Sequence, residues 1–92
     1  KNRLMGWEQV SQGTVDQAPV YPREVLGVAL TRQAAGLIMV HNHPGGDPTP
    51  SRQDVELTQR INRACKELGV RLLDHIVVTE NEYYSFQMLG QL

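Results

Sequence analysis

The sequence predicts an α/β fold, a mixed β-sheet with flanking helices, from the order of its apolar patterns. Residues 37–40 are a short apolar run and residues 70–79 a strongly β-like run, which indicates two strands. Each run follows a stretch whose apolar residues recur at helical spacing and which ends at a glycine. Alternation of strands with helices is typical of layered α/β domains.

The first half of the chain is predicted to form a strand, a helix and a second strand. Residues 7–14 (WEQVSQGT) combine Trp, Val and Thr with a closing glycine, which indicates a strand. Pro22 suits the first turn of a helix that runs to about Ala35 and stops at Gly36. Residues 37–40 are apolar throughout, so we expect this strand to be buried on both faces.

The second half is predicted to form a helix followed by two strands. Ser51 is a good N-cap, and the apolar residues after it recur at intervals of four, three and four up to Gly69. Residues 70–79 indicate a strand, and residues 83–89 form the last one after a short turn. The predicted order is therefore β-α-β-α-β-β, and the closing hairpin makes the sheet mixed.

Length and charge limit the domain organisation and the partners. The 92 residues suit one domain, residues 1–92, and we expect it to be a C-terminal piece of a longer protein. The net charge is −1 and the basic residues are scattered along the sequence, which does not favour electrostatic binding of nucleic acid. We also expect an unpaired sheet edge near the first residues, which makes a homo-oligomer reasonable.

The chain lacks features of secreted or membrane proteins. Cys65 is the one cysteine, so no internal disulfide forms, which suits a reducing compartment. No apolar run approaches the length of a membrane span, and no signal-peptide pattern opens the sequence. We predict a cytoplasmic protein without membrane contact, in which Cys65 is a small buried hydrophobic residue.

Two of the three histidines, His41 and His43, stand one residue apart directly after the first buried strand. If the strand continues through them, both side chains point to the same side of the sheet. Imidazoles about 6–7 Å apart at Cα can converge on one metal ion, and Asp54 can supply a third ligand. Three protein ligands, with a fourth position left to an activated water, are typical of catalytic zinc.

Ser51 and Asp54 also have a structural interpretation. The S-x-x-D spacing before an amphipathic helix is close to a capping box, with Ser51 as the N-cap and Asp54 at the third helical position. That interpretation accounts for the serine and the aspartate, but it does not explain two histidines beside a buried strand. Both interpretations stay open for Ser51 and Asp54.

The segment HNHPGGDPTPSRQD, residues 41–54, resembles the JAMM (MPN+/JAB) metalloprotease motif. That motif is H-x-H-P, a serine after seven intervening residues, and an aspartate three positions later, and this sequence has the same spacing. The RadC-like branch of bacterial JAMM proteins is the better match. It extends over Gly13-Thr14, Pro22-Arg23-Glu24-Val25, Ala29-Leu30, Leu73-Asp74-His75 and Tyr84-Ser85-Phe86. Relatives usually carry a serine at Gly45, and we expect that these 92 residues do not include the helix-hairpin-helix-like segment of full-length relatives.

The resemblance implies a JAMM/cytidine-deaminase-like fold in a bacterial protein, with Zn²⁺ held by three residues of this sequence: His41, His43 and Asp54. It also implies that Ser51 donates a hydrogen bond to a developing oxyanion.

The resemblance further implies an upstream glutamate as the general base. Glu8, in the predicted strand of residues 7–14, fits that place better than Glu24, which lies in the first turn of a predicted helix. Glutamates are common in first turns because of the helix dipole alone. Glu8 can equally be an exposed strand residue with no catalytic role.

Asp74 and His75 interrupt an otherwise apolar predicted strand. A charge buried there requires a partner. The pair either orients a zinc-bound imidazole through the carboxylate or makes a structural hydrogen bond to a helix end or a loop, and the structural interpretation is favoured.

Three functions are compatible with these residues. The resemblance implies a zinc-dependent hydrolase that cleaves a peptide or isopeptide bond in a peptide or protein substrate. A DNA-repair-associated accessory role is suggested only by the family name, and the scattered basic residues argue against it. The third is a non-catalytic metal-binding interaction module, against which the intact set of three ligand-type residues argues.

Overall fold

A computed structural model describes Gly6 and residues 20–92 of the chain. The elements, in order, are α1 (Pro22–Thr31), β1 (Gly36–Asn42), α2 (Arg52–Glu67), β2 (Arg71–Val78) and β3 (Tyr83–Ser85). The described strands form one sheet in the order β1-β2-β3, with β1 parallel and β3 antiparallel to β2. The predicted α/β fold with a mixed sheet is thereby confirmed. The strand predicted at residues 7–14 lies outside the described residues.

Helix α1 ends earlier than the sequence predicts, because Gln33 adopts the left-handed conformation with a φ of 52°. The last helical residue is Thr31. The Ala34 amide then donates to the carbonyl oxygen of Ala29 at 2.9 Å, which closes the helix with a Schellman motif. The sequence places the stop at Gly36, since glycine most often takes this conformation, but Gly36 instead begins β1.

Helix α2 has the predicted limits and orients the loop that precedes it. Ser51 is its N-cap, and the helix runs from Arg52 to Glu67 before Gly69 takes a φ of 73°. Its buried face contacts both α1 and β2. The first turn of α2 therefore has a fixed position at the end of the sheet where the chain leaves β1.

Strand β1 is not buried on both faces, contrary to the sequence prediction. Leu37 and Met39 pack against the core, whereas Ile38 and Val40 are 55% and 68% exposed. In the described part of the chain the apolar core lies on one face of this strand. A run of only four apolar residues does not distinguish a strand covered on one face from one covered on both.

The core joins both helices to the start of β2. Its buried residues are Val25, Ala29, Ile61, Cys65, Val70 and Leu72. Cys65 is fully buried, as predicted, and burial raises the pKa of its thiol. Since a buried, protonated thiol is a poor nucleophile, Cys65 contributes packing.

Strand β3 is shorter than the predicted strand of residues 83–89. The chain turns after Ser85, where the Leu89 amide donates to the Ser85 carbonyl oxygen at 3.3 Å. No helix within residues 20–92 combines the length and the apolar character that crossing a bilayer requires.

Candidate metal centre

The carboxyl end of β1 places two imidazoles side by side. His41 lies within β1, and the His43 amide donates to the Val78 carbonyl oxygen at 2.9 Å, so pairing with β2 continues past the last strand residue. The His41 and His43 rings lie on the same side, with centroids 4.7 Å apart and planes at 86°. This confirms that the strand continues through the H-x-H segment and brings the rings together.

The first turn of α2 brings Asp54 to the same place through a complete capping box. The Asp54 amide donates to Ser51 Oγ at 3.0 Å, and the Ser51 amide donates to Asp54 Oδ2 at 2.8 Å. The cap fixes the Asp54 side chain against the helix end. The structural interpretation of this pair is therefore correct, and it is compatible with a metal site because the cap occupies only part of the carboxylate.

The three side chains form one compact, partly buried cluster. Asp54 Oδ2 lies 3.1 Å from His43 Nε2, and Asp54 Oδ1 lies 3.7 Å from His41 Nδ1. One ligand-type atom from each residue lies within 4.8 Å of the other two. An arrangement of two imidazoles and one carboxylate at this separation can hold a metal ion.

The orientation of His43 favours a cation in the cluster. Its Nδ1 lies 3.3 Å from the Asp47 carbonyl oxygen, a hydrogen bond that places the ring proton on Nδ1. In a neutral ring with this tautomer, His43 Nε2 presents a lone pair to the negatively charged Asp54 carboxylate. Two electron-rich atoms facing each other at 3.1 Å require a shared proton or a metal ion between them. A backbone carbonyl that orients a histidine in this way is a common feature of metal sites.

Protonation in the cluster also suits metal binding. Burial, with a smaller opposing effect of the Asp54 charge, lowers the pKa of His41. Burial alone would raise the pKa of Asp54, but hydrogen bonds from Ser51 and the neighbouring His41 and His43 hold it below its ordinary value. Near neutral pH the cluster thus contains a neutral His41 and an ionised Asp54, the states that bind a divalent metal.

Ser51 lies at the edge of the cluster with its hydroxyl group exposed. Its Oγ accepts the Asp54 amide, and its side chain also interacts with the Asp54 carboxylate, which helps to lower the pKa of that group.

The two glutamates considered as the general base differ in what the structure describes. Glu8 lies outside the described residues. Glu24 is exposed in the first turn of α1, as predicted, and it is not part of the cluster of ligand-type side chains.

Asp74 is a structural residue. Its Oδ1 accepts the amides of His75 and Gln87 at 2.7 and 3.0 Å, and its Oδ2 accepts the Ser85 hydroxyl at 2.6 Å. Within the described residues its carboxylate makes no hydrogen bond to an imidazole. The favoured prediction, a structural hydrogen bond to a loop, agrees with these contacts.

Sequence reasoning did not find Thr58, which is buried one helical turn after Asp54. Thr58 Oγ1 lies 2.5 Å from Nδ1 of His75, whose ring stacks on His41 with a centroid separation of 5.9 Å. The available signal was a polar residue on the apolar face of a predicted helix. Its partner lies 17 residues away on strand β2, and that pairing is visible only in three dimensions.

A polar cleft of about 390 Å³ opens beside the cluster. It is lined by residues 42–46, which include His43, and by residues 79–82 in the turn before β3. The cleft leaves room for a ligand directly next to one of the imidazoles.

The fold and the cluster together define the class of protein: an α/β domain with a candidate two-histidine, one-aspartate metal centre at the carboxyl end of a strand. The sequence matches the model of the family described as RadC-like JAB domain over residues 1–91. UPF0758 proteins of Ruegeria pomeroyi and Desulforudis audaxviator are 50% and 49% identical to it over 92 and 90 residues. The chain belongs to the RadC-like JAB domain family, which confirms the resemblance found in the sequence.

The alignments cover 100% and 98% of this chain but only 41% and 39% of those two relatives. A UPF0758 protein of Geobacter sulfurreducens shows the same relation, with 48% identity and 40% of its length matched. The chain thus spans about two fifths of the length of these relatives.

Proposed function

We propose that the chain is the hydrolase domain of a JAMM-type metalloenzyme, in which His41, His43 and Asp54 hold Zn²⁺. The substrate is a peptide or protein in which a peptide or isopeptide bond is cleaved. The observation that carries the proposal is the compact cluster, with ligand-type atoms of all three residues within 4.8 Å of one another.

Zinc in such a site supplies a Lewis acid that polarises a carbonyl group and lowers the pKa of water. The chain supplies groups around it. Ser51 holds its Oγ in place by accepting the Asp54 amide, so the hydroxyl proton can be donated to the oxygen that becomes negative during attack. Glu8 is proposed to accept and return the proton of the attacking water.

The cleft beside His43 supports a substrate that binds next to the cluster. Its walls are two polar chain segments, residues 42–46 and 79–82, and the volume of about 390 Å³ suits a few residues of a peptide. A peptide lying there has one of its carbonyl groups next to the cluster.

Metal analysis of the purified 92-residue chain tests the site. We expect about one zinc per chain, with strong losses in His41→Ala and Asp54→Asn. Asp47→Asn is the matched control, since the exposed Asp47 side chain hydrogen-bonds Thr49 and lies outside the ligand set. A wild-type chain that takes up no metal when zinc is supplied would refute the site.

A panel of peptides and isopeptides tests the chemistry. We expect cleavage that requires zinc, is lost in Glu8→Gln, and is unchanged in Glu24→Gln. Stoichiometric zinc binding without cleavage of any member of the panel would instead favour a non-catalytic metal-binding module.

A further inference from the structure

His75 is a buried polar residue next to the cluster. Its ring is 1% exposed and lies between those of Phe86 and His41. The His75 and Phe86 planes differ by 8° at a centroid distance of 4.8 Å, and the His75 and His41 planes differ by 15° at 5.9 Å. The ring of His41 therefore lies at one end of a stack of three rings, and the other two rings are buried in the interior of the protein.

Thr58 connects the same histidine to the helix turn that carries Asp54. The fully buried Thr58 hydroxyl donates its proton to the Asp54 carbonyl oxygen at 2.7 Å. Because a hydroxyl has one proton, the contact of 2.5 Å between Thr58 Oγ1 and His75 Nδ1 has the imidazole N–H as donor. A continuous chain of hydrogen bonds thus runs from Asp54 through Thr58 to His75.

The other nitrogen of His75 has no obvious structural purpose. Nε2 is buried and lacks a hydrogen-bond partner among the described residues. A buried acceptor without a donor is unfavourable for folding, and an aromatic hydrocarbon side chain would fill the same space without that penalty. Packing alone does not explain a histidine at this position.

We propose that Thr58 and His75 are positioning residues of the metal centre: their hydrogen bond fixes the first turn of α2, and the stacked His75 ring fixes the plane of His41. This inference rests on the proposed metal site. It assigns a role to strand β2, which supplies no ligand but connects the two ligand-bearing elements, β1 and α2. Partners of this kind hold metal ligands in the geometry that the ion requires.

Two threonine variants test the hydrogen bond. Thr58→Val removes the hydroxyl at nearly constant volume, and Thr58→Ser keeps it. We expect Thr58→Val to weaken zinc binding by roughly 10-fold or more and Thr58→Ser to stay near the wild type, measured by competition with a chelator. The absorption spectrum of the Co²⁺-loaded chain should change in Thr58→Val and be restored in Thr58→Ser.

His75→Phe separates positioning from stability. This variant keeps an aromatic ring between His41 and Phe86 and removes the unpartnered nitrogen. We expect a melting temperature of the metal-free chain no lower than that of the wild type, together with weaker zinc binding and an altered Co²⁺ spectrum. A purely structural histidine would instead change the melting temperature and leave the spectrum of the loaded site alone.

The outcomes distinguish this inference from the proposed function. If the wild type binds zinc and both Thr58→Val and His75→Phe bind it equally well with an unchanged Co²⁺ spectrum, the positioning role is wrong and the metal site stands. If the wild type binds neither ion, the metal site and the positioning role are both wrong.

Discussion

Two Ser–Asp pairs in this molecule use the same chemical groups for different purposes. Ser51 and Asp54 lie at the start of α2, and Ser85 and Asp74 join the neighbouring strands β3 and β2. In each pair an aspartate accepts a hydrogen bond from the serine, and the serine oxygen accepts a backbone amide. The pairs differ in what else their carboxylate oxygens and hydroxyl groups contact.

The two carboxylates differ in their remaining partners. Asp74 accepts three hydrogen bonds from protein donors, and both of its oxygens are engaged. Asp54 is hydrogen-bonded by Ser51, and its two oxygens face the rings of His41 and His43. A carboxylate satisfied by backbone and hydroxyl donors stabilises the fold, whereas one that faces lone-pair-bearing nitrogens has capacity for a cation.

The two hydroxyl groups differ in the same way. The Ser85 hydroxyl donates to Asp74 and accepts the Met88 amide, so it is fully used inside the fold. The Ser51 hydroxyl accepts the Asp54 amide, and its side chain lies beside the Asp54 carboxylate, a member of the candidate metal cluster. Burial follows the same division, because Ser85 is buried and Ser51 is exposed.

The largest predicted difference between the two pairs concerns metal affinity. Asp54→Asn keeps an oxygen for the helix cap but removes the charge between the imidazoles. Loss of an outer partner typically weakens metal binding 10- to 100-fold, so loss of a direct ligand should weaken it by more than about 100-fold. Asp74→Asn should leave zinc affinity unchanged. Equal zinc affinity of these two variants in chelator competition would contradict the division between the pairs.

A pH effect is predicted for His75, which belongs to both regions. Its amide donates to Asp74 and its ring contacts His41. Burial, with the nearby charge of His41, lowers the pKa of His75 from 6.5 to about 4 against the opposing charges of Asp54 and Asp74. Below pH 6.5 the unfolded chain therefore binds a proton that the folded chain does not, and stability decreases as the pH falls towards about 4.

At roughly 1.4 kcal/mol for each pH unit, this loss is on the order of 3 kcal/mol, and it does not grow further below about pH 4. Urea unfolding of the metal-free chain between pH 7 and pH 4 measures it. His75→Phe should lose much less stability over this range. Parallel stability profiles of the wild type and the variant would show that His75 is not the residue responsible.

Ser85→Ala should destabilise the fold by about 2 kcal/mol without an effect on metal binding. The substitution leaves Asp74 Oδ2 without its hydroxyl donor and the Met88 amide without its acceptor. For a chain of this size such a loss lowers the melting temperature by about 8–16 °C. Thermal unfolding with and without zinc measures both effects, and a weakened zinc affinity of the folded variant would count against a structural role.

Much of the fold was predictable because its elements carry strong local patterns. Helix α2 has a serine cap and apolar residues at helical spacing, and β2 is rich in leucine, isoleucine and valine. The end of α1 was not predictable in the same way. Gln33 occupies a left-handed position that the sequence assigns to glycine, and nothing in its side chain signals this conformation.

Only the part of the candidate site that depends on sequence spacing was predictable. The spacing of His41, His43 and Asp54 indicates three converging side chains, and the structure brings them together. The Thr58–His75 contact joins an interior helix position to a neighbouring strand. No local sequence pattern specifies which buried polar residues will form a contact when they lie 17 residues apart in the chain.

Ser51 gives the smallest predicted change in stability and the sharpest separation of its two roles. Ser51→Ala removes the N-cap acceptor and should destabilise the chain by about 1 kcal/mol. Ser51→Asp restores an acceptor for the Asp54 amide, so its stability should return to near the wild-type value, but an ionised carboxylate has no proton to donate. Under the proposed function both variants should lose about 100-fold or more in hydrolysis. If Ser51→Asp cleaves as fast as the wild type, the hydroxyl acts as a helix cap and the oxyanion role is wrong.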